Sequence, residues 1–203
     1  MCDSLPPNQS IVGSRFVLKI KTDENGAPTR YKARLVARGF TQRPGLDFDQ
    51  TYAPVMDLTT FRMLIALAAA NSWEIHQMDV VTAYLYGDLK EEIHMRLPDQ
   101  INDFLRPPTN STNPIVKLRR SLYGLKQSGR EWYQRLTKFL EDAGFHTSTI
   151  APCIFVKKSE DGICIIGIYV DDLNLFGNRR AIQSAKSMLE QEFEMKNIGY
   201  TRF

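Results

Sequence analysis

The chain has 203 residues, 43% hydrophobic and 24% charged, with a formal net charge of +3. This is one domain's worth of ordinary globular composition, which excludes wholesale disorder, collagen and coiled coil. The longest apolar-leaning run, Met63 to Ala70, is far short of the ~20 residues a membrane span needs, and Met1-Cys2-Asp3-Ser4 leads into Pro6-Pro7 rather than a signal-peptide core.

Three cysteines without a CxxC pair and three scattered histidines argue against a disulfide scaffold, a zinc site or a histidine metal cluster. They fit a reducing compartment. Residues 1–12 read as a disordered tail. Phe16 to Lys21 and Arg30 to Arg38 alternate apolar and basic residues around the turn signal Asp23-Glu24-Asn25-Gly26, as two strands of a hairpin do. Tyr31, Ala33, Leu35 and Ala37 share one face; Arg30, Lys32, Arg34 and Arg38 share the other. With Arg15, Lys19, Lys21 and Arg43 they form a basic group, opposed only by Asp23 and Glu24. Lys117, Arg119, Arg120, Lys126 and Arg130 form a second. Such clusters suit a polyanion, and equally a solvated face.

Thr41 to Val55 reads as loop. Thr59 or Thr60 is expected to cap a helix to about Asn71, with Phe61, Leu64, Ile65 and Ala68 inward. Trp73 to Val81 is strand-like, Ile93, Met95 and Leu97 form a short strand, and Pro98 to Pro114 an extended loop. Ser128 to Ala143 is helical, with Trp132, Leu136, Phe139 and Leu140 inward and Gly144 as C-cap. Cys153 to Lys157, Ile163 to Val170 and Leu173 to Phe176 are strands. Asn178 caps a helix through about Glu192, and Phe193 to Lys196 starts a last strand. Hairpins mixed with helix crossovers make the fold class α+β.

Asp171 and Asp172 interrupt two apolar runs, and burying unpaired carboxylates is costly. Asp79 also ends a strand-like run. One carboxylate on one strand and two at a hairpin tip can converge, and they repel unless hard cations, above all Mg²⁺, sit between them. Two such ions suit in-line phosphoryl displacement. Separate solvent-facing turn aspartates are the competing reading.

Four segments carry a family resemblance: Tyr31 to Phe40, Gln77 to Gly87, Ser121-Leu122-Tyr123-Gly124-Leu125-Lys126-Gln127-Ser128, and Tyr169-Val170-Asp171-Asp172. In this order and spacing the chain, from about Gly13 to Gly199, resembles the reverse transcriptase of copia-type long-terminal-repeat retrotransposons. The resemblance implies a right-hand polymerase, with fingers mainly over 13–56 and palm mainly over 57–203, truncated before the thumb and ribonuclease H domain. It implies RNA-directed DNA polymerisation with two Mg²⁺ ions, for which Mn²⁺ can substitute. Asp79, Asp171 and Asp172 would be the metal-binding carboxylates, with the Val80 carbonyl as a further ligand. Lys32, Arg34, Val80, Thr82, Ala83, Tyr84, Lys126 and Gln127 would be nucleotide-side residues. Tyr84 would lie under the sugar, where its ring disfavours a ribose 2′-hydroxyl; an ordinary core aromatic is the plainer reading. Gly124, Arg130, Tyr169 and Val170 would border template and primer. The implied partners are an RNA or DNA template with primer, deoxynucleoside triphosphates and the remainder of a polyprotein, with no membrane. The implied location is the cytoplasm, in a virus-like particle for an active element. Departures are Ser128-Gly129 before Arg130, where the family has proline, and Phe16 in place of tryptophan. A catalytically inactive nucleic-acid-binding remnant is the alternative function.

Overall fold

The computed structural model describes residues 10–99, 101 and 114–201. Along the chain it forms β1 (Ile11–Val12), β2 (Ser14–Thr22), β3 (Pro28–Ala37), α1 (Leu58–Ala70), β4 (Glu74–Val80), β5 (His94–Arg96), β6 (Ile115–Lys117), α2 (Ser128–Asp142), β7 (His146–Thr147), β8 (Ile154–Ser159), β9 (Gly162–Tyr169), β10 (Asp172–Gly177), α3 (Arg179–Glu192) and β11 (Met195–Tyr200). Short 3₁₀ turns occupy Gly39–Thr41 and Ala83–Tyr86. The α+β class is borne out. The described residues divide into two compact units, one from 1–52 with 84–132 and one from 53–83 with 133–203. Residues 84–132 pack with the N-terminal segment.

In the first unit, β2 and β3 pair antiparallel around the Asp23–Gly26 turn. Asp23 closes that turn by accepting from the amides of Asn25 and Ala27. Opposite residues share a face. Lys19 lies opposite Lys32 and Lys21 opposite Arg30, while Leu18 lies opposite Ala33 and Ile20 opposite Tyr31. The faces follow the alternation, but the apolar one is not buried here: Leu18 is 75% and Tyr31 76% exposed. The tail reading is corrected at Ile11 and Val12. They form β1, parallel to β5, and Val12 is buried against Ala37, Ile93, Met95 and Leu125. Residues 1–9 and most of the expected 98–114 loop lie outside the described residues.

The second unit is a six-stranded antiparallel sheet in the order β11-β4-β10-β9-β8-β7. β9 is nearly all apolar because both its faces are covered. On one face Ile75, Phe176 and Ile165 pack with Leu64 and Ala68 of α1. On the other, α3 buries Ala181, Ile182, Ala185 and Leu189. Asp57, not Thr59 or Thr60, caps α1: its carboxylate accepts from the Thr60 amide at 2.9 Å and the Thr60 hydroxyl at 2.7 Å. These bonds hold the Asp57 carboxyl below its ordinary value. Asn178 occupies the cap position of α3, but its side chain accepts from the Ile163 amide at 2.8 Å. Among the described residues no helix is long and apolar enough to cross a membrane.

Candidate active site

The end of the six-stranded sheet gathers the acidic residues. β4 and β10 run antiparallel with Asp79 opposite Asp172. Directly opposed Cα atoms in such pairs lie about 4.5–5.5 Å apart. Asp171 precedes β10, and its carbonyl accepts the Val80 amide at 2.8 Å. One register thus brings Asp79, Asp171 and Asp172 to one place. Extending the row outward, Lys196 of β11 lies opposite Asp79, and Tyr169 of β9 lies opposite Asp172. Lys196 Nζ is 3.0 Å from Asp79 Oδ1. Gln77 Nε2 donates to Asp172 Oδ1 at 3.3 Å. Burial, then the charge of Asp171, pushes the Asp172 carboxyl up; Asp79 adds to this and the Gln77 bond opposes it.

A cleft of about 300 Å³ opens beside this row, lined by Met56, Phe61, Gln77, Asn174, Tyr169 and Asp172 among others. Two β-branched residues flank the carboxylates with left-handed backbone: Thr82 at φ 55° and Val170 at φ 58°. That conformation costs of order 1–3 kcal/mol for such residues and collects at functional sites. Tyr169 is half exposed at the tip, and Thr82 is exposed, its hydroxyl bonded to the Val81 carbonyl. Val80 and Ala83 are buried, so neither side chain offers a surface to a nucleotide. Among the described residues no three His, Cys, Asp or Glu side chains form a ready-made metal cage.

The remaining candidates are in the first unit, around Ser121–Gln127. The Tyr123 carbonyl accepts from the Ala37 amide at 2.8 Å and the Gly124 carbonyl from the Gly39 amide at 3.1 Å. Gly124 sits at φ 93°, and a Cβ there would lie 2.1 Å from the Ala37 carbonyl oxygen. The glycine is therefore required by backbone contact, whatever else it meets. Gln127 lies in the same unit. It is buried, and its amide donates to the Asp47 carbonyl at 2.8 Å and to Glu91 at 3.1 Å while accepting from Gln42 at 3.0 Å. Lys126 is exposed, with its amide bonded to Gln42 Oε1 at 2.8 Å. Arg130 is half-buried in the first turn of α2. Lys32 and Arg34 are half-buried on the cationic face of β3. Tyr84 is half-buried, with its ring centroid 4.6 Å from that of Tyr123.

Sequence reasoning alone does not single out Lys196, Gln77 or Tyr123. The signal for Lys196 was present only as a cation in the last strand, and its partner is 117 positions away.

The family model described as "Reverse transcriptase (RNA-dependent DNA polymerase)" matches residues 2–203. The chain belongs to the reverse transcriptase family. Among similar proteins, the retrovirus-related Pol polyprotein from transposon TNT 1-94 of Nicotiana tabacum is 37% identical over 96% of this chain and 14% of its own length. The corresponding polyprotein from transposon RE1 of Arabidopsis thaliana is 39% identical over 96% of this chain and 13% of its own. The Ty1-ER2 Gag-Pol polyprotein of Saccharomyces cerevisiae is 33% identical over 93% and 10%. This reverse transcriptase chain therefore spans about a seventh or less of these relatives' length, and its plant relatives are polyproteins of copia-type transposons.

Proposed function

We propose that this chain carries the nucleotidyl-transfer site of an RNA-directed DNA polymerase. The primer 3′-hydroxyl attacks the α-phosphate of a deoxynucleoside triphosphate, and pyrophosphate leaves. The observation that carries this reading is the register of Asp79 against Asp172, with Asp171 tied to Val80. Two segments far apart in sequence meet so that three carboxylates share one sheet end, an arrangement that favours a bound cation.

The donor set suits Mg²⁺ or Mn²⁺, since all its groups are hard oxygens. Magnesium binds through one or two carboxylates and completes its octahedron with water and substrate phosphate, so a closed protein cage is not required. Asp79, Asp171, Asp172 and the Val80 carbonyl would hold the ions. When bound, they supply Lewis acidity at the phosphate and favour the deprotonated primer hydroxyl. The chain's own groups do the rest. Lys196 balances the charge of Asp79 in the free site. Lys32, Arg34 and Lys126 offer cations to the triphosphate, and Tyr84 packs beneath the sugar. Gly124, Arg130, Tyr169 and Val170 border template and primer, and Gln127 acts by holding the 42–47 segment in place. On this reading 13–56 are mainly fingers and 57–203 mainly palm. The chain works with the rest of its polyprotein in a cytoplasmic particle.

The test is single-nucleotide primer extension on an RNA template with Mg²⁺, using the chain alone and joined to the polyprotein segment that follows it. Asp79→Asn and Asp172→Asn should each lower incorporation by about two to three orders of magnitude, the scale of losing one transition-state charge contact. Incorporation that survives either substitution overturns the assignment. Template binding without incorporation in both forms favours the inactive remnant.

A further inference from the structure

Three side chains of the first unit form a stack, of which the polymerase reading uses Tyr84 and Arg34 but not Tyr123. The Tyr84 and Tyr123 rings lie 4.6 Å apart at 57°. On Tyr123 the Arg34 guanidinium sits 5.4 Å from the ring centroid. Aromatic pairs at such separations and cations over a ring face attract one another. The backbone around the stack is also fixed. Ser121 Oγ donates to the Tyr84 carbonyl, and the Ser121 amide donates to the Gly87 carbonyl at 2.9 Å. The Ala37 amide bonds the Tyr123 carbonyl, which ties the end of the Arg34 strand to the same segment. Tyr123 thus touches both Tyr84 and Arg34.

We propose that Tyr123 is a positioning residue for sugar selection: its ring sets the plane of Tyr84 and holds Arg34 against the same surface. The proposal rests on the reading that Tyr84 underlies the sugar and Arg34 meets the triphosphate. A ring excludes a 2′-hydroxyl only if it cannot tilt away. Tyr84 is half-buried, and the Tyr123 ring 4.6 Å away limits how far it tilts. Without the Tyr123 ring, a ribonucleotide can push Tyr84 aside, while a deoxynucleotide gains nothing from the added room.

The experiment measures affinity for dTTP and for UTP in complexes with a dideoxy-terminated primer on an RNA template, where no chemistry occurs. The chain, joined to its following polyprotein segment, is compared with Tyr123→Leu, Tyr123→Phe and Tyr123→His. Tyr123→Phe should keep the preference for dTTP. Tyr123→Leu should reduce it by about two- to tenfold, mainly by strengthening UTP binding. Tyr123→His, with a smaller flat ring, should fall between, and it replaces Tyr123→Leu where that variant fails to fold. A merely structural role lowers both affinities together and leaves their ratio unchanged; that result overturns the proposal. A wild-type chain that binds both nucleotides equally, or neither, overturns the underlying reading of Tyr84 as well.

Discussion

At the scale of single residues, burial and backbone geometry decide more than residue type does. Glu131 is a case: it lies in the first turn of α2 and is buried against the Gly87 backbone. Burial pushes its carboxyl above the ordinary 4.5, Lys90 pulls it back, and Glu91 pushes it further. The folded chain therefore keeps this proton to higher pH than the unfolded chain does. Stability falls as pH rises through the window that starts near 4.5 and ends at the raised folded value. Glu131→Gln removes the cost of ionisation. Its urea midpoint should exceed that of wild type at pH 7, and the gap should close by about pH 4, below the unfolded value. A gap that persists at acid pH would assign the effect to packing instead. The same scale explains why Asp79, Asp171 and Asp172 were legible as chemistry: carboxylates interrupting apolar strands are costly in any fold. Lys196 was not legible, because an exposed lysine in a strand is ordinary until its cross-strand partner is known.

At the scale of elements, periodicity located α1, α2, α3 and the β8, β9 and β10 strands within a few residues. These elements are long enough for their apolar faces to repeat, as with Trp132, Leu136 and Leu140 of α2. β1, β6 and β7 are two or three residues long, so no period develops within them. They exist because of partners distant in sequence, such as β5 for β1. The hairpin fails differently: alternation separated its faces correctly but could not say which face is covered. That difference has a measurable consequence. Leu173 of β10 is 0% exposed and Leu18 of β2 is 75% exposed. Leu173→Ala should cost about 2–5 kcal/mol in urea unfolding, and Leu18→Ala should stay within about 0.5 kcal/mol. A large loss at Leu18 would mean that its face is covered in solution.

At the scale of the whole molecule, a formal net charge of +3 conceals a concentration of cations on one element. Lys19 opposite Lys32 and Lys21 opposite Arg30 repel across the hairpin. Like charges directly opposed in this way are destabilising, by about 0.2–1 kcal/mol per pair. A polyanion turns this cost into binding free energy, because each phosphate neutralised releases condensed counterions. If a nucleic acid or a triphosphate runs along this face, binding of a single-stranded oligonucleotide should weaken steeply with salt. Each contact adds about 0.7 to the slope of log K against log salt. Lys19→Glu with Lys21→Glu should flatten that slope by about 1.4 in fluorescence anisotropy titrations. Lys138→Glu provides the control. Lys138 is already engaged with Asp142 at 2.8 Å, so its reversal should leave the slope nearly unchanged. Equal slopes for all three proteins would return the hairpin cations to a solvated face. A slope that falls equally for both variants would show that only overall charge matters. A fall confined to the hairpin variant assigns phosphate binding to that face.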